Sequence, residues 1–534
     1  MEDVETSRIF EAVQWVQRQI GLDRLGFEET RNLARTLREL GRYPEAIEQF
    51  KLASSLQSDN WTSQWGLAVC YASQKEYKMA IEILEATAKS IESGEIADAD
   101  TAKEELSWIS RYLAEWNKEA GNTDQTCAIY KSILQDRPGD YKVALSLMMF
   151  LHENNDYQGL LEFLQSRKDS TDKATGLDHR TELFHAHYAN ENYHEVLFAL
   201  AYNTESFEII LESYNVAINA AKKRYKEGRQ AGDIAGEEFG RVCQAVLMHR
   251  VALLCYNNTT NIAENREFAI DQWVLILQMD EPSESYLPIV KSTVRNKLAI
   301  VCFGEARRDP ASAAQYLEHL EQIASLGKNN YTEEAYEETY PMRLISRWHA
   351  LQGDEQKAKE ALRASIKVYL DLLSDEDPLN DWLGYHGLAM HLMSAGQDAD
   401  ALAAWSLIAP LDDMETVKTE DNSSETDGKP AGLQGPMDDT CDGRCGTRWS
   451  FADNIYVCRD CNYVEFDESC LKRLREGILA SGICGKNHEM LHVPSYDATE
   501  REKIGAGNVK VGEHVLPVEE WLQRLKAEWA IRSA

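Results

Sequence analysis

A small or aliphatic residue followed four positions later by a bulky one recurs along this chain, as Ala46/Phe50, Ala80/Leu84, Thr126/Tyr130, Leu160/Leu164, Val196/Leu200, Ala269/Trp273, Ala358/Leu362 and Ala401/Trp405. Positions i and i+4 share one face of an α-helix, so each pair marks a helix that a neighbour approaches closely at its first residue. Two of the steps, 46 to 80 and 126 to 160, are 34 residues; others stretch to 36 or 43. A period of that size belongs to arrays in which each unit packs only on its neighbours, a solution that suits 534 residues better than one oversized core.

Composition agrees with an array. Glycine (30) and proline (12) are scarce, and long tracts carry the good helix formers Ala, Leu, Glu, Lys and Gln. From about residue 8 to 410 apolar stripes at i, i+3, i+4 follow one another across short polar breaks such as Leu40-Gly41-Arg42 and Asn154-Asn155-Asp156. The helix before a pair carries a matching pattern in the best units: Leu67-Ala68 with Tyr71 before Ala80, and Leu388-Ala389 with Leu392 before Ala401. Pro138 sits eight residues past Tyr130, where such a unit closes. On these residues the stretch 27–410 resembles the tetratricopeptide repeat family, although no unit carries the whole signature and 205–260 and 283–340 are least regular. The resemblance implies a superhelix of helix pairs with a concave groove for peptides or partner helices. The spacing alone also admits an irregular helical bundle, and both readings are all-α.

Charge excludes several functions. A net charge of −33 and a pI near 4.8 argue against binding a phosphate backbone, so no nucleic-acid partner is expected. The run Lys222-Lys223-Arg224-Tyr225-Lys226 reads as a solvated helix face. The acidic start MEDVETSRIFEAVQ lacks the profile of a secretory signal, and no apolar run approaches about 18 residues, so no membrane is expected and the cytoplasm, or the nucleus, is the expected compartment. There, Cys70, Cys127, Cys243, Cys255 and Cys302 read as small buried hydrophobes. No phosphate loop, G-x-G-x-x-G or G-x-S-x-G is present, so the expectation is a non-enzymatic protein.

The remaining six cysteines fall within 44 residues and are followed by two histidines, as Cys441-x3-Cys445, Cys458-x2-Cys461, Asp467-x2-Cys470 and Cys484-x3-His488-x3-His492. Thiolates and imidazoles paired at short spacing can grip one ion from a single turn, and nine candidate ligands exceed what one tetrahedral zinc uses, so two Zn2+ ions are expected. Trp449, Phe451 and Tyr456 offer a small apolar floor. Residues 411–440 are acidic and nearly free of aromatics and read as a tether. The expected parts are therefore 1–410, a helical repeat array; 411–440, a linker; 441–496, a zinc module; and 497–534, a tail that is loop-like over 497–516 and helical from Val518 to Trp529. The ligands can be shared in sequence order, with Cys441, Cys445, Cys458 and Cys461 on one ion and Cys470, Cys484, His488 and His492 on the other, or interleaved.

The tract from Tyr456 to His492 resembles the ZZ-type zinc finger, a cross-braced module with two ions. That resemblance implies one site of Cys441, Cys445, Asp467 and Cys470 and a second of Cys458, Cys461, His488 and His492, with Cys484 spare or in place of His492. The chain departs from the family at Asp467, where cysteine is expected, and in the first pair, one residue wider than usual. The resemblance also implies capture of a peptide N-terminus by acids beside the first site, here Asp442 and Glu465, which otherwise read as solvated acids. The order of parts, with CDGRCGTRWSFADNIYVCRDCNYVEFDESC and CGKNHEMLHVP, looks like the C-terminal half of fungal NACHT/TPR proteins of the NOD-like receptor type. It implies a sensor or scaffold half without the nucleotide-binding module. The expected fold is all-α, a tetratricopeptide-like superhelix with a small C-terminal zinc module. The expected function is protein or peptide binding; a ubiquitin ligase or ligase adaptor is the alternative, and a metal-dependent hydrolase ranks last.

Overall fold

One turn, repeated along the chain, turns successive helices back on each other. Gly41, Lys75, Gly121, Asn155, Gly232, Gly353 and Gly396 all take a positive φ. After each, the next amide reaches the carbonyl five residues back: Arg42 to Leu37, Glu76 to Tyr71, Asn122 to Asn117, Asp156 to Leu151, Asp233 to Gly228, Asp354 to His349 and Gln397 to Leu392. This left-handed C-terminal motif satisfies the last carbonyls of the finished helix. At Asp156, Asp233 and Asp354 the residue that closes one helix also caps the next, accepting a hydrogen bond from Gly159, Gly236 and Lys357 respectively. Gly41 and Lys75 lie 34 residues apart, as do Gly121 and Asn155.

The computed structural model describes residues 26–531 except 58–59, 94–98, 261, 281–285, 327–339, 376–380, 409–439, 444, 448–452, 480–483 and 496. The tether expected over 411–440, apart from Thr440, and the floor residues Trp449 and Phe451 lie outside the described residues. The chain divides into two compact units at Asn265/Arg266.

The first unit pairs Phe27–Glu39 with Tyr43–Leu56, Trp61–Ser73 with Tyr77–Glu92, Ala99–Glu119 with Thr123–Asp136, and Tyr141–Glu153 with Tyr157–Ser166. His179–Ala186 and Glu191–Asn203 follow, then a long hairpin of Phe207–Ala231 and Ile234–Tyr256. Its helices of 25 and 23 residues explain why 205–260 escapes the repeat period. They touch backbone to backbone: a Cβ on Gly228 would stand 2.4 Å from the Glu237 amide nitrogen, and one on Gly240 2.4 Å from that of Tyr225. The Lys222–Lys226 stretch is exposed apart from Tyr225.

Across both units every one of the eight sequence pairs is buried at both positions. Ala46 and Ala80 are fully enclosed, so neither has room for a larger side chain. Ala46→Leu or Ala80→Leu should each destabilise the first unit by roughly 1–3 kcal/mol through overpacking, read as a shifted urea midpoint.

The second unit contains Leu287–Arg308, Ala313–Leu326, the pair Tyr340–Leu351 and Glu355–Leu372, and the pair Asp381–Ser394 and Asp398–Ile408. Beyond them lies a three-stranded antiparallel sheet in the order β2-β1-β3, formed by β1 (Ile455–Cys458), β2 (Glu465–Phe466) and β3 (Met490–Val493). Residues 497–516, expected to be loop-like, instead form the helix Ala498–Ile504 and most of a hairpin of β4 (Asn508–Val511) and β5 (His514–Pro517). Val509 and Val511 are buried on either side of exposed Lys510, and Gly512 supplies the positive φ of the turn. The expected terminal helix spans Val518–Glu528.

Residues on the two sides of the 411–440 stretch share one core. Val457, Leu491, Val493, Val509, Val511, Trp521, Leu525 and Trp529 pack with Leu362, Leu388, Ala401 and Trp405. The Trp521 indole N–H donates to Asp400 at 2.7 Å, and Arg363 donates to the Trp529 carbonyl at 3.1 Å. The fold is thus all-α helix pairs with a small sheet-bearing module carried on the last two of them.

Buried histidines make the assembly acid-sensitive. Burial pushes His391 down to about 3 and His386 to about 4 in the second unit, and His194 to about 4 in the first. Each stays neutral when folded and takes a proton only when unfolded, so its share of stability is intact above about pH 6.5 and falls as pH drops toward the folded value. From pH 7 to 5 each should remove roughly 2 kcal/mol, measurable as a falling melting temperature over that range.

Candidate metal centre

The loop between β1 and β2 and the segment before β3 bring Cys458, Cys461, Cys484 and His488 together. The His488 Nδ1 lies 3.5 Å from Cys458 Sγ, 3.3 Å from Cys461 Sγ and 3.5 Å from Cys484 Sγ. Cys484 Sγ lies 3.5 Å from Cys458 Sγ and 3.8 Å from Cys461 Sγ. The edge of a regular tetrahedron is about 1.63 times its centre-to-vertex distance, so these edges leave a centre about 2.0–2.3 Å from each donor, the Zn–N and Zn–S lengths. The donor spacing therefore fits a four-coordinate soft divalent cation. Packed this closely the thiols share charge unequally: hydrogen bonds from Cys461 and Cys484 hold Cys458 below the usual thiol range, and the bond to Cys458 together with burial pushes Cys461 and Cys484 above it.

Cys441, Cys445, Asp467 and Cys470 form the second cluster, their donor atoms within 4.8 Å of one another. Asp467 has two tasks. Its Oδ1 caps the helix Glu468–Glu476 by accepting from the Cys470 amide at 2.6 Å, and its Oδ2 stands 3.1 Å from Cys445 Sγ. Burial works to raise its pKa, but the Cys470 amide and the neighbouring thiols hold it below the usual carboxylate value. The amides of Gly443 and Asp467 lie 3.4 and 3.5 Å from Cys441 Sγ, the N–H···S pattern that steadies a thiolate ligand. Gly443 has to be glycine here, since a Cβ would sit 2.3 Å from Cys470 Sγ. Cys445 is the exposed corner of this cluster, whereas Cys441 and Cys470 are buried.

Interleaved use of the cysteine pairs is thus what the structure places together, with Cys484 beside His488. His492 is not brought to either cluster, a correction to the ligand set that the resemblance implied. It lies on β3 between buried Leu491 and Val493, and a strand's alternation turns it outward. There it is exposed, stacks on Tyr456 and bonds Asn454 Oδ1 at 3.0 Å. His488 instead ends a tight turn, its amide bonded to the Gly485 carbonyl, which swings the imidazole back toward Cys484. His492→Ala should leave the bound metal unchanged, while Cys484→Ser should remove about one ion per chain, counted by elemental analysis.

Asp442 and Glu465 are neighbours, each amide bonding the other residue, at 3.0 Å to the Glu465 carbonyl and 2.7 Å to Asp442 Oδ2. Glu465 is only 5% exposed, so the reading of it as a solvated acid is also corrected.

The loop between Cys458 and Cys461 carries contacts that no local motif announces. Asp460 is buried and pairs with Arg307 at 2.9 Å and Arg347 at 3.8 Å, while its carbonyl accepts from the Tyr340 hydroxyl at 2.7 Å. Arg347 also pairs with Glu489. Arg343 reaches Asn462 at 3.1 Å, and Arg459 grips Asp398 through two bonds of 2.7 and 2.6 Å. Ile300 packs against the ligand cluster. Arginines on two helices, Leu287–Arg308 and Tyr340–Leu351, thus hold one loop of the metal centre, and the loop's own Arg459 reaches a third at Asp398.

No family model matches the chain, and no curated relative does. Solved structures similar to it include Naa15/Naa10 bound to HypK-THB, at 15% identity over 78% of this chain and 67% of that one with a TM-score of 0.25. The C-terminal part of a TPR repeat-containing protein from Cytophaga hutchinsonii is 16% identical over 49% of this chain and 98% of that one, with a TM-score of 0.22. The TPR domain of P58(IPK) is 13% identical over 71% and 91%, with a TM-score of 0.20. Likeness at these scores carries no weight, and the fold rests on the repeated turn and the buried pairs. No helix among the described residues is long and apolar enough to cross a membrane.

Proposed function

We propose that this protein is a non-enzymatic interaction scaffold whose helix pairs bind protein or peptide partners in the repeat groove and whose C-terminal module is a structural clasp holding two zinc ions. The tetrahedral spacing of Cys458, Cys461, Cys484 and His488 carries this reading. Four protein donors fill a zinc ion's coordination and leave no position for substrate or activated water, which is the arrangement of a structural site. Cys441, Cys445 and Cys470 with the carboxylate of Asp467 supply a second set of the same chemistry. The order of parts supports the finer reading of a sensor half of a NOD-like receptor-type protein, and Asp442 beside the first site supports capture of a peptide N-terminus.

A ligase needs its zinc loops free for a conjugating enzyme, and here the 459–462 loop is spent on the helices. That favours the scaffold over the ligase. The deciding experiment is a panel of ubiquitin-conjugating enzymes and a panel of peptides titrated against the full chain. Peptide binding without enzyme binding supports the scaffold; enzyme binding with ubiquitin discharge overturns it.

A further inference from the structure

At the start of the first unit the helix pairs leave a cavity of about 450 Å³, lined by Arg31, Arg35, Arg38, Trp61, Trp65 and Trp108, with Phe50 and Gly66 also in its wall. That volume falls in the range of sites that take a specific ligand, about 300–1,000 Å³. Its composition is unusual for this chain. Positive side chains are outnumbered 56 to 89 overall, yet three arginines, one turn apart on the helix Phe27–Glu39, face one space with three indoles.

Two of these arginines are accessible and one is held inside: Arg35 pairs with Glu39 at 2.8 Å with its side chain 68% exposed, Arg31 pairs with Glu28 at 2.7 Å with its own 31% exposed, and Arg38 is only 17% exposed. Exposed pairs of this kind are weak enough for an incoming carboxylate to replace. Arg31 also donates to Thr62 at 3.2 Å, and Arg38 lies 5.3 Å over the Trp65 ring, so two guanidinium groups are held toward the cavity by the helix Trp61–Ser73. Trp108 is 55% exposed, an indole whose area a partner would cover. The wall beneath is made possible by Gly66, where a Cβ would collide with the Phe50 ring at 2.4 Å.

Planar guanidinium groups recognise carboxylates through paired hydrogen bonds, and flat indoles accept a large apolar side chain at low entropic cost. We propose that this cavity binds an acidic peptide segment of a partner protein, with carboxylates on Arg31 and Arg35 and a large apolar side chain against Trp61, Trp65 and Trp108. The proposal rests on the scaffold reading and names its partner's chemistry. A nucleic-acid strand would use similar groups, but neighbouring glutamates and a net charge of −33 repel a polyanion, whereas two or three peptide carboxylates match the arginines present.

The test uses the full chain and fluorescein-labelled ten-residue peptides containing one phenylalanine, with glutamates, glutamines or lysines around it, and a labelled dT10 oligonucleotide. The glutamate peptide should bind at least tenfold more tightly than the glutamine peptide and weaken with salt. Arg35→Glu, at an exposed position, should lower that affinity at least tenfold, and the Arg31→Glu/Arg35→Glu double variant should bind the lysine peptide in its place. Equal binding of glutamate and glutamine peptides, no effect of either variant, or preference for dT10 would overturn the proposal. If the glutamine or lysine peptide binds the wild-type chain best, the acidic partner falls and the scaffold stands. If no peptide binds anywhere on the chain, the scaffold reading falls with it.

Discussion

Serine at both Cys458 and Cys461 will cost the protein about one bound metal ion and the order of its last helix pairs as well as its metal module. Apparent binding energies of structural zinc are about 10–16 kcal/mol, comparable to the whole stability of a domain. Within itself the module is thin, since its sheet is three short strands and its ligand cluster is backed by a small set of apolar residues such as Val464, Phe466 and Leu474. Its loss will not stay local. Val457, Leu491 and Val493 belong to the core that also buries Leu388, Ala401 and Trp405, so unfolding the strands opens a face of Asp381–Ser394 and Asp398–Ile408. Hydrogen exchange followed by mass spectrometry should show lost protection in those helices and in Val518–Glu528, with the first unit unchanged. Protection retained throughout the second unit would mean that the array holds itself without the module. Asp467→Ala should be milder, because it removes one hard ligand and a helix cap of about 1 kcal/mol.

Much of this architecture was legible because its signals are local. The small/bulky pairs announce helix contacts at fixed spacing, and all of them are buried where the pattern required. The turn that joins the helices is partly legible: glycine marks it at Gly41, Gly121 and Gly353, but Lys75 and Asn155 hold the same positive φ without that marker. Cys441, Cys445, Cys458, Cys461 and Cys470 could be paired from spacing and resemblance. Choosing between Cys484 and His492 required knowing that residues 490–493 form a strand, and the alternation of Leu491, His492 and Val493 was the available signal. The β4–β5 hairpin was likewise written in Val509-Lys510-Val511-Gly512, a short alternation ending in a turn residue. What no reading of the chain offers is the clamp on Asp460. Its partners Arg307 and Arg347 lie more than a hundred residues away, and only the packed structure brings charges so distant into contact.

That clamp gives the second large effect. Asp460 and Arg347 are both almost wholly enclosed, so each neutralises a charge that water cannot reach. Asp460→Ala should destabilise the second unit by about 3 kcal/mol, the low end for breaking a buried pair, because Arg347 then keeps only the half-exposed Glu489 as a partner. Arg347→Met should cost less, because Arg307 still faces Asp460, and Glu489, freed of Arg347, is half-exposed. The double variant should be more stable than the sum of the two losses predicts, since the second substitution removes the buried charge that the first deprived of its enclosed partner. Neither residue offers a donor to the metal clusters, so both single variants should retain their full metal content in elemental analysis while their thermal midpoints fall. Metal lost in step with stability would mean that docking and metal binding are one event. Strict additivity in the cycle would mean that Asp460 and Arg347 lie close together without acting on each other.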